Sequence, residues 1–200
     1  MRKIQKMCAA LLAGVMTVGT FAPSVFADEA PAELTDEQVI NVRTTAFGNN
    51  YDVQDMGWRW MMAACYEGLY RDVADENGDE FILAGAESVD ISDDGTVYTY
   101  HLREDAKWSD GVPVTAHDYE YGWKRLLNPD YAYDYASFIY NVVGAEEYNS
   151  GEGSADDVMA VAVDDYTFEV TLKVADPTFE SKLVATPLYP TREDLAEAAG

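Results

Sequence analysis

Two cysteines and two histidines are the whole supply, in 200 residues, of the side chains that most often serve as covalent nucleophiles and transition-metal ligands. His101 and His117 have no ligand-like spacing, and H-E-x-x-H, G-x-S-x-G and the phosphate-binding G-x-x-x-x-G-K-[ST] are all missing. Both histidines are therefore read as structural or surface side chains, and no catalytic residue, metal or cofactor is assigned. Cys8 falls in a leading apolar segment. Cys65 is then alone in an otherwise apolar stretch, so no internal disulfide can form, and Cys65 is expected to be a buried structural thiol. Basic residues are scarce as well: 13 Lys and Arg face 37 Asp and Glu, a formal net charge of −24. Such a surface repels nucleic acid and anionic lipid. It serves bulk solubility, with a preference for cationic ligands as the alternative. Carboxylates are so abundant that no pair of them points to glycoside hydrolysis.

What the chain does have begins with a basic stretch, Met1-Arg2-Lys3-Ile4-Gln5-Lys6, followed by an acid-free apolar run over residues 7–21 and the small-residue site Val25-Phe26-Ala27. This order reads as a secretory signal peptide over residues 1–27, cleaved after Ala27. The apolar run of about 15 residues is short for the roughly 20 that a membrane-spanning helix needs. A retained anchor is the alternative, because Val25 stands where the A-x-A pattern has alanine. No second run approaches spanning length, so the remainder is expected to be soluble and extracytoplasmic. Removing residues 1–27 takes away Arg2, Lys3 and Lys6 and no acid, leaving 10 basic against 37 acidic residues. The richness in Trp, Tyr and Phe argues against disorder despite that charge.

Residues 28–38 are acidic, small and proline-containing, a flexible tether. Val39-Ile40-Asn41-Val42-Arg43 reads as a first strand, and Gly48-Asn49-Asn50-Tyr51-Asp52 as a turn. A helix is expected from Val53, where Trp58, Met61, Met62 and Cys65 fall at i, i+3, i+4 and i+7 as one packed stripe. Residues 72–80 look at first like a calcium loop. However, if Asp75, Asn77 and Gly78 take its third, fifth and sixth places, Val73 occupies the first, where a carboxylate is required, so a polar hairpin tip is the better reading.

Two stretches show the two-residue period of half-buried strands: Tyr98, Tyr100 and Leu102 share one face, and Phe168, Val170 and Leu172 another. Each follows an extended piece and an acidic turn, Ser92-Asp93-Asp94-Gly95 and Asp164-Asp165, giving two β-hairpins. Shared hairpin chemistry accounts for their likeness without duplication. Between them lies a helix with Thr115 as cap, Asp118 as capping-box partner and Tyr119, Trp123 and Leu126 as its buried stripe; Asn128-Pro129 ends it. Thr191 and Asp194 repeat that start signal just before Gly200, so the chain is expected to be the first part of a longer one.

The continuous stretch over residues 98–126, Tyr-Thr-Tyr-His-Leu-Arg-Glu-Asp-Ala-Lys-Trp-Ser-Asp-Gly-Val-Pro-Val-Thr-Ala-His-Asp-Tyr-Glu-Tyr-Gly-Trp-Lys-Arg-Leu, resembles the family 5 extracellular solute-binding proteins, the oligopeptide- and dipeptide-binding components of ABC importers. Tyr66-Glu67-Gly68-Leu69 resembles the F-E-G-L element of that family, residues 162–172 its A-x-D-D-x-T-x-E-V-x-L hairpin, and residues 187–200 its return segment. Within the signature Trp108 looks like an apolar anchor, Asp110-Gly111 a turn and Thr115 a cap, which are structural jobs.

The resemblance implies an α/β fold of the periplasmic-binding-protein type II kind, with residues 39–65 as the first strand, loop and helix of the main lobe. Residues 66–186 would be its inserted small α/β subdomain of antiparallel hairpins and helices, and residues 187–200 the return to the main lobe. It implies capture of small peptides, largely through backbone hydrogen bonds, for the permease subunits of an ABC importer. A monomer is expected, with no nucleic acid partner, in the periplasm or at the cell surface. Tyr135, in Tyr135-Ala136-Ser137, matches a cleft-facing tyrosine of the family, and the loop Asp52, Val53, Gln54, Asp55 and Met56 matches a segment whose backbone lines the cleft. Relatives binding nickel, haem or oligosaccharide are the nearest alternatives. A secreted structural or adhesive module and an exported hydrolase stand further off. Leu12-Ala13-Gly14-Val15 carries valine where lipoprotein relatives have the anchored cysteine, so release by ordinary cleavage is expected.

Overall fold

The computed structural model describes residues 52–55, 59–73 and 81–199. The chain divides between Thr44 and Thr45, and every described residue falls in the second unit. The expected signal peptide, tether, first strand and the turn before Asp52 lie outside the described residues, as do Met56, Trp58 and residues 74–80.

The centre of the fold is an antiparallel sheet of β3 (Ala86–Ile91), β4 (Val97–Leu102), β5 (Ala160–Asp164) and β6 (Thr167–Thr171), in the order β3-β4-β6-β5. Both expected hairpins form. The Ser92 hydroxyl accepts the backbone N–H groups of Thr96 and Val97, and Gly95 supplies the left-handed φ of 70° that turns the chain between β3 and β4. Asp164 accepts the Tyr166 N–H at 2.9 Å and sets the turn between β5 and β6. What the alternation could not show is that the hairpins join edge to edge. Tyr98 pairs with Val170 and Tyr100 with Phe168, so the apolar sets of β4 and β6 share one face. Both outer strands are irregular in register, β3 between Ala86 and Ser88 and β5 between Ala162 and Asp164.

Helix α2 (Ala116–Leu127) covers that face. Its capping box closes as expected, the Asp118 carboxylate accepting the Thr115 N–H at 2.8 Å, and Asn128 caps its other end. Tyr119, Trp123 and Leu126 are buried. Trp123 meets Phe168 edge-on at 5.1 Å and donates its Nε1–H to the Leu188 carbonyl at 3.0 Å. Such an aromatic pair adds about 0.5–1.5 kcal/mol beyond area burial, and the hydrogen bond spares the core an unsatisfied indole donor. On the β5 side of α2, the part-buried Glu120 carboxylate accepts the Ala162 N–H at 2.8 Å.

Smaller elements wrap this centre. β1 (Tyr70–Asp72) and β2 (Phe81–Leu83) pair antiparallel on either side of the expected hairpin tip. Short helices α3 (Ala145–Asn149), α4 (Phe179–Lys182) and α5 (Glu193–Ala199) follow. Gly144 precedes α3 with φ 80°, and it faces the Asp157 carbonyl so closely that a Cβ there would not fit. The expected start of the last helix is corrected: α5 begins at Glu193, and Asp194 is gripped by Arg192 instead of closing a box with Thr191.

The segment before the sheet corrects two further expectations. Residues 52–55 form a turn, not the opening of a helix, because the Asp52 carboxylate takes the Gln54 N–H at 3.0 Å and competes with helical bonding. Helix α1 covers Arg59–Cys65 among the described residues. Its packed side is Met62, which joins Val53 and Tyr189 in a small second core cluster with the partly buried Met61 against it, as the stripe predicts, while Cys65 is exposed. Cys65 is the last residue of α1, where the chain turns away and the stripe leaves the packed surface. His101 is partly exposed and His117 exposed, and each lies near a carboxylate, Asp90 and Asp165 respectively.

Candidate ligand-facing site

Helix α2 carries Arg125 in its last turn, where a cation suits the negative end of the helix dipole. Its guanidinium forks onto Asp52, Nη1 to Oδ1 at 3.0 Å and Nη2 to Oδ2 at 2.7 Å. Nη1 also donates to Gln54 Oε1. The fully buried Gln54 in turn donates its Nε2–H to the Gly122 carbonyl at 2.5 Å, one turn earlier on the same helix. The Tyr133 hydroxyl donates to Asp52 Oδ2 at 2.7 Å. Its Cζ lies over the rings of Tyr131 and Tyr133, 5.0 and 5.3 Å from their centroids.

The electrostatics follow from this wiring. Burial alone would raise the Asp52 carboxyl, but hydrogen bonds from Arg125, Tyr133 and the Gln54 N–H outweigh it and hold the group below its ordinary value. Burial would likewise depress Arg125, and its bonds to Asp52 more than restore it. Tyr133 is pushed up, first by burial and then by the adjoining carboxylate, and stays a neutral donor. The cluster is a charge-neutralised clamp, and among the described residues no nucleophile is poised beside a base in it.

The sequence-chosen residues fall around this clamp in different ways. Asp52 and Gln54 are held inside it by their side chains, Val53 is buried against Met62 and Tyr189, and Asp55 is exposed. Tyr135 is not a member. It lies two residues beyond Tyr133, half-buried, its ring edge-on to the part-exposed Phe138 at 5.2 Å. The structure thus brings the loop and the tyrosine segment to one end of α2. Arg125 and Tyr133 were missed. Arg125 sits off the apolar stripe with a partner 73 residues away, so nothing local marks it. Tyr133 was visible only as the middle of the Tyr131-x-Tyr133-x-Tyr135 alternation.

A groove of about 810 Å³ opens elsewhere, between the end of α1 and the Trp108 turn, lined among others by Tyr66, Glu67, Arg103, Lys107 and Trp108. It contains none of the residues chosen for ligand contact. Trp108 packs edge-on to Tyr66 at 5.9 Å and donates towards Asp118 at 3.4 Å, which agrees with its reading as an anchor. Among the described residues no group of three or more His, Cys, Asp and Glu side chains could hold a metal ion, and no helix is long and apolar enough to cross a membrane.

Comparison with known proteins places these features. Residues 80–199 match the family described as bacterial extracellular solute-binding proteins, family 5 Middle. The oligopeptide-binding protein OppA of Bacillus subtilis is 37% identical over 159 residues, 79% of this chain and 29% of that protein. The periplasmic oligopeptide-binding protein OppA of Salmonella typhimurium is 32% identical over 198 residues, 95% of this chain and 36% of that protein. Among solved structures, Listeria monocytogenes OppA bound to peptide superposes with a TM-score of 0.68 at 36% identity, over 74% of this chain and 30% of that one. The chain spans about a third of the length of the relatives it matches.

Proposed function

We propose, because the chain belongs to the family 5 bacterial extracellular solute-binding proteins, that it forms part of a receptor capturing small peptides outside the cytoplasmic membrane for an ABC importer. The observation that carries this reading is the family match over residues 80–199 together with relatives above 30% identity that are named for oligopeptide binding. The fold supports it, being α/β and shared with a peptide-bound OppA structure. In this reading the protein is a monomer exported by the signal over residues 1–27, it hands its cargo to permease subunits, and it performs no chemical step.

Residues 66–186 are proposed as the inserted subdomain, with residues 39–65 and 187–200 belonging to the main lobe. Val53, Met62 and Tyr189, all outside residues 66–186, form a small cluster of their own, which supports that division, while Leu188 packs into the large core of the sheet and α2. Ligand contact is assigned to Tyr135 and to the loop of Asp52, Val53, Gln54, Asp55 and Met56. With the side chains of Val53 and Gln54 turned inwards, the loop's contribution is its backbone and the exposed Asp55. Main-chain recognition suits a receptor that accepts many sequences, because main-chain groups are common to every peptide.

Native mass spectrometry of the protein purified gently from its own host tests the reading. Adducts whose masses match short peptides, exchangeable with added peptide, are expected. A protein that carries no adduct and takes up none from a peptide mixture would overturn it.

A further inference from the structure

We infer that Arg125 is a positioning residue for ligand binding, one that fixes both proposed contact segments at once without touching the ligand; this rests on the peptide-receptor reading above. The guanidinium meets the two segments on different sides. Its edge holds the 52–55 turn through the fork onto Asp52 and the bond to Gln54 Oε1. Its cation lies over the rings of Tyr131 and Tyr133, and Tyr133 donates a hydroxyl bond to the same Asp52.

Gln54 adds a second anchor at Gly122, so the turn is pinned to α2 at two points one helical turn apart and has little freedom to slide or rotate. Tyr135 follows two residues after Tyr133, on a segment whose approach to the site is set by that stack. One side chain therefore sets the spacing between the turn and the tyrosine segment, and a site of this kind loses affinity when its supports are off by about an ångström.

The chemistry makes the requirement specific to arginine. A lysine would keep the charge but not the planar fork, and could not bridge both carboxylate oxygens and Gln54 Oε1 at once. The neighbouring Lys124 faces the other way, paired with Glu120 at 2.6 Å on the β5 side. It provides a matched control on the same turn of helix.

The experiment is isothermal calorimetry of peptide binding to the receptor purified from its host and freed of ligand, run where circular dichroism shows every variant folded. Arg125→Lys and Asp52→Asn are each expected to weaken binding about tenfold, with the loss in the entropy of binding, because a loosened segment must be ordered by the ligand. Lys124→Met should bind like the wild type. The Arg125→Lys/Asp52→Asn double variant should lose no more than either single change, as residues of one contact do. Wild-type affinity in folded Arg125→Lys, or additive losses in the double variant, would overturn the inference alone. A wild-type receptor that binds no peptide would remove the peptide reading and this one together.

Discussion

Gly144 and Gly151 offer a matched pair for testing how tightly the junction between α3 and β5 is built. Their φ angles are nearly equal, 80° and 78°, so alanine at either position carries the same left-handed backbone cost of about 1–2 kcal/mol. A stiffer unfolded chain offsets that at both sites by about 0.4–1 kcal/mol. The surroundings differ. A Cβ on Gly151 would meet nothing within 4 Å, whereas one on Gly144 would stand 2.1 Å from the Asp157 carbonyl oxygen and 2.6 Å from its carbon.

Those are backbone atoms, and they are not free to retreat. The next strand is tied in by the Met159 N–H to Val143 carbonyl bond and the Val143 N–H to Thr171 carbonyl bond, both 2.9 Å. Forced overpacking of this sort costs about 1–3 kcal/mol more. Gly151→Ala should therefore cost about 1 kcal/mol and Gly144→Ala about 2–4 kcal/mol. Equilibrium urea unfolding read by tryptophan fluorescence, with the fully buried Trp123 as reporter, measures the difference. Equal destabilisation of the two variants, within about 0.5 kcal/mol, would refute the steric reasoning.

Other outcomes follow from single contacts. Trp123→Phe keeps the ring packing against Phe168 but strands the Leu188 carbonyl, and should cost about 1–3 kcal/mol in the same assay. Asp118→Ala removes the carboxylate that accepts the Thr115 N–H and the Trp108 indole, and should cost about 0.5–2 kcal/mol together with a red shift of the Trp108 emission. Asp176 is held down to about 2 by hydrogen bonds from Lys182 and from the Thr178 hydroxyl and N–H. Because its folded value is depressed, its contribution to stability is complete above the ordinary carboxylate range and fades as pH falls towards about 2. A carboxyl-carbon NMR titration should find that midpoint, and Asp176→Asn should flatten the acid limb of the stability profile.

Local structure was legible wherever a short stretch carries its own instructions. The alternation through Tyr98, Tyr100 and Leu102, the acidic turns and the pair of Thr115 and Asp118 each fix an element within a few residues. The joining of β4 to β6 was not legible, since an alternating pattern says which face is buried and not which strand lies alongside. Cys65 was misplaced because a four-point apolar stripe over so short a helix does not say where the packed surface stops. The clamp escaped for a related reason: Asp52, Arg125 and Tyr133 are each unremarkable in their own neighbourhoods, and their meaning lies in a meeting across 73 residues. The family likeness pointed to the two segments proposed for ligand contact, and the fold adds the Arg125–Asp52 and Tyr133–Asp52 bonds that join the turn to the tyrosine segment.

The irregular outer strands of the central sheet bear on how the protein behaves at high concentration. An open antiparallel sheet offers a row of free backbone donors and acceptors at each edge, and another copy can add to it as a further strand. Here β3 is kinked between Ala86 and Ser88 and carries Glu87 and Asp90 outwards. β5 is kinked near its end at Asp164, and the Glu120 carboxylate already occupies its Ala162 donor. Ile91 and Val163 stay exposed on these strands, so side-chain polarity alone would not keep copies apart. The broken register, the carboxylates and the occupied donor each work against another copy adding at these borders.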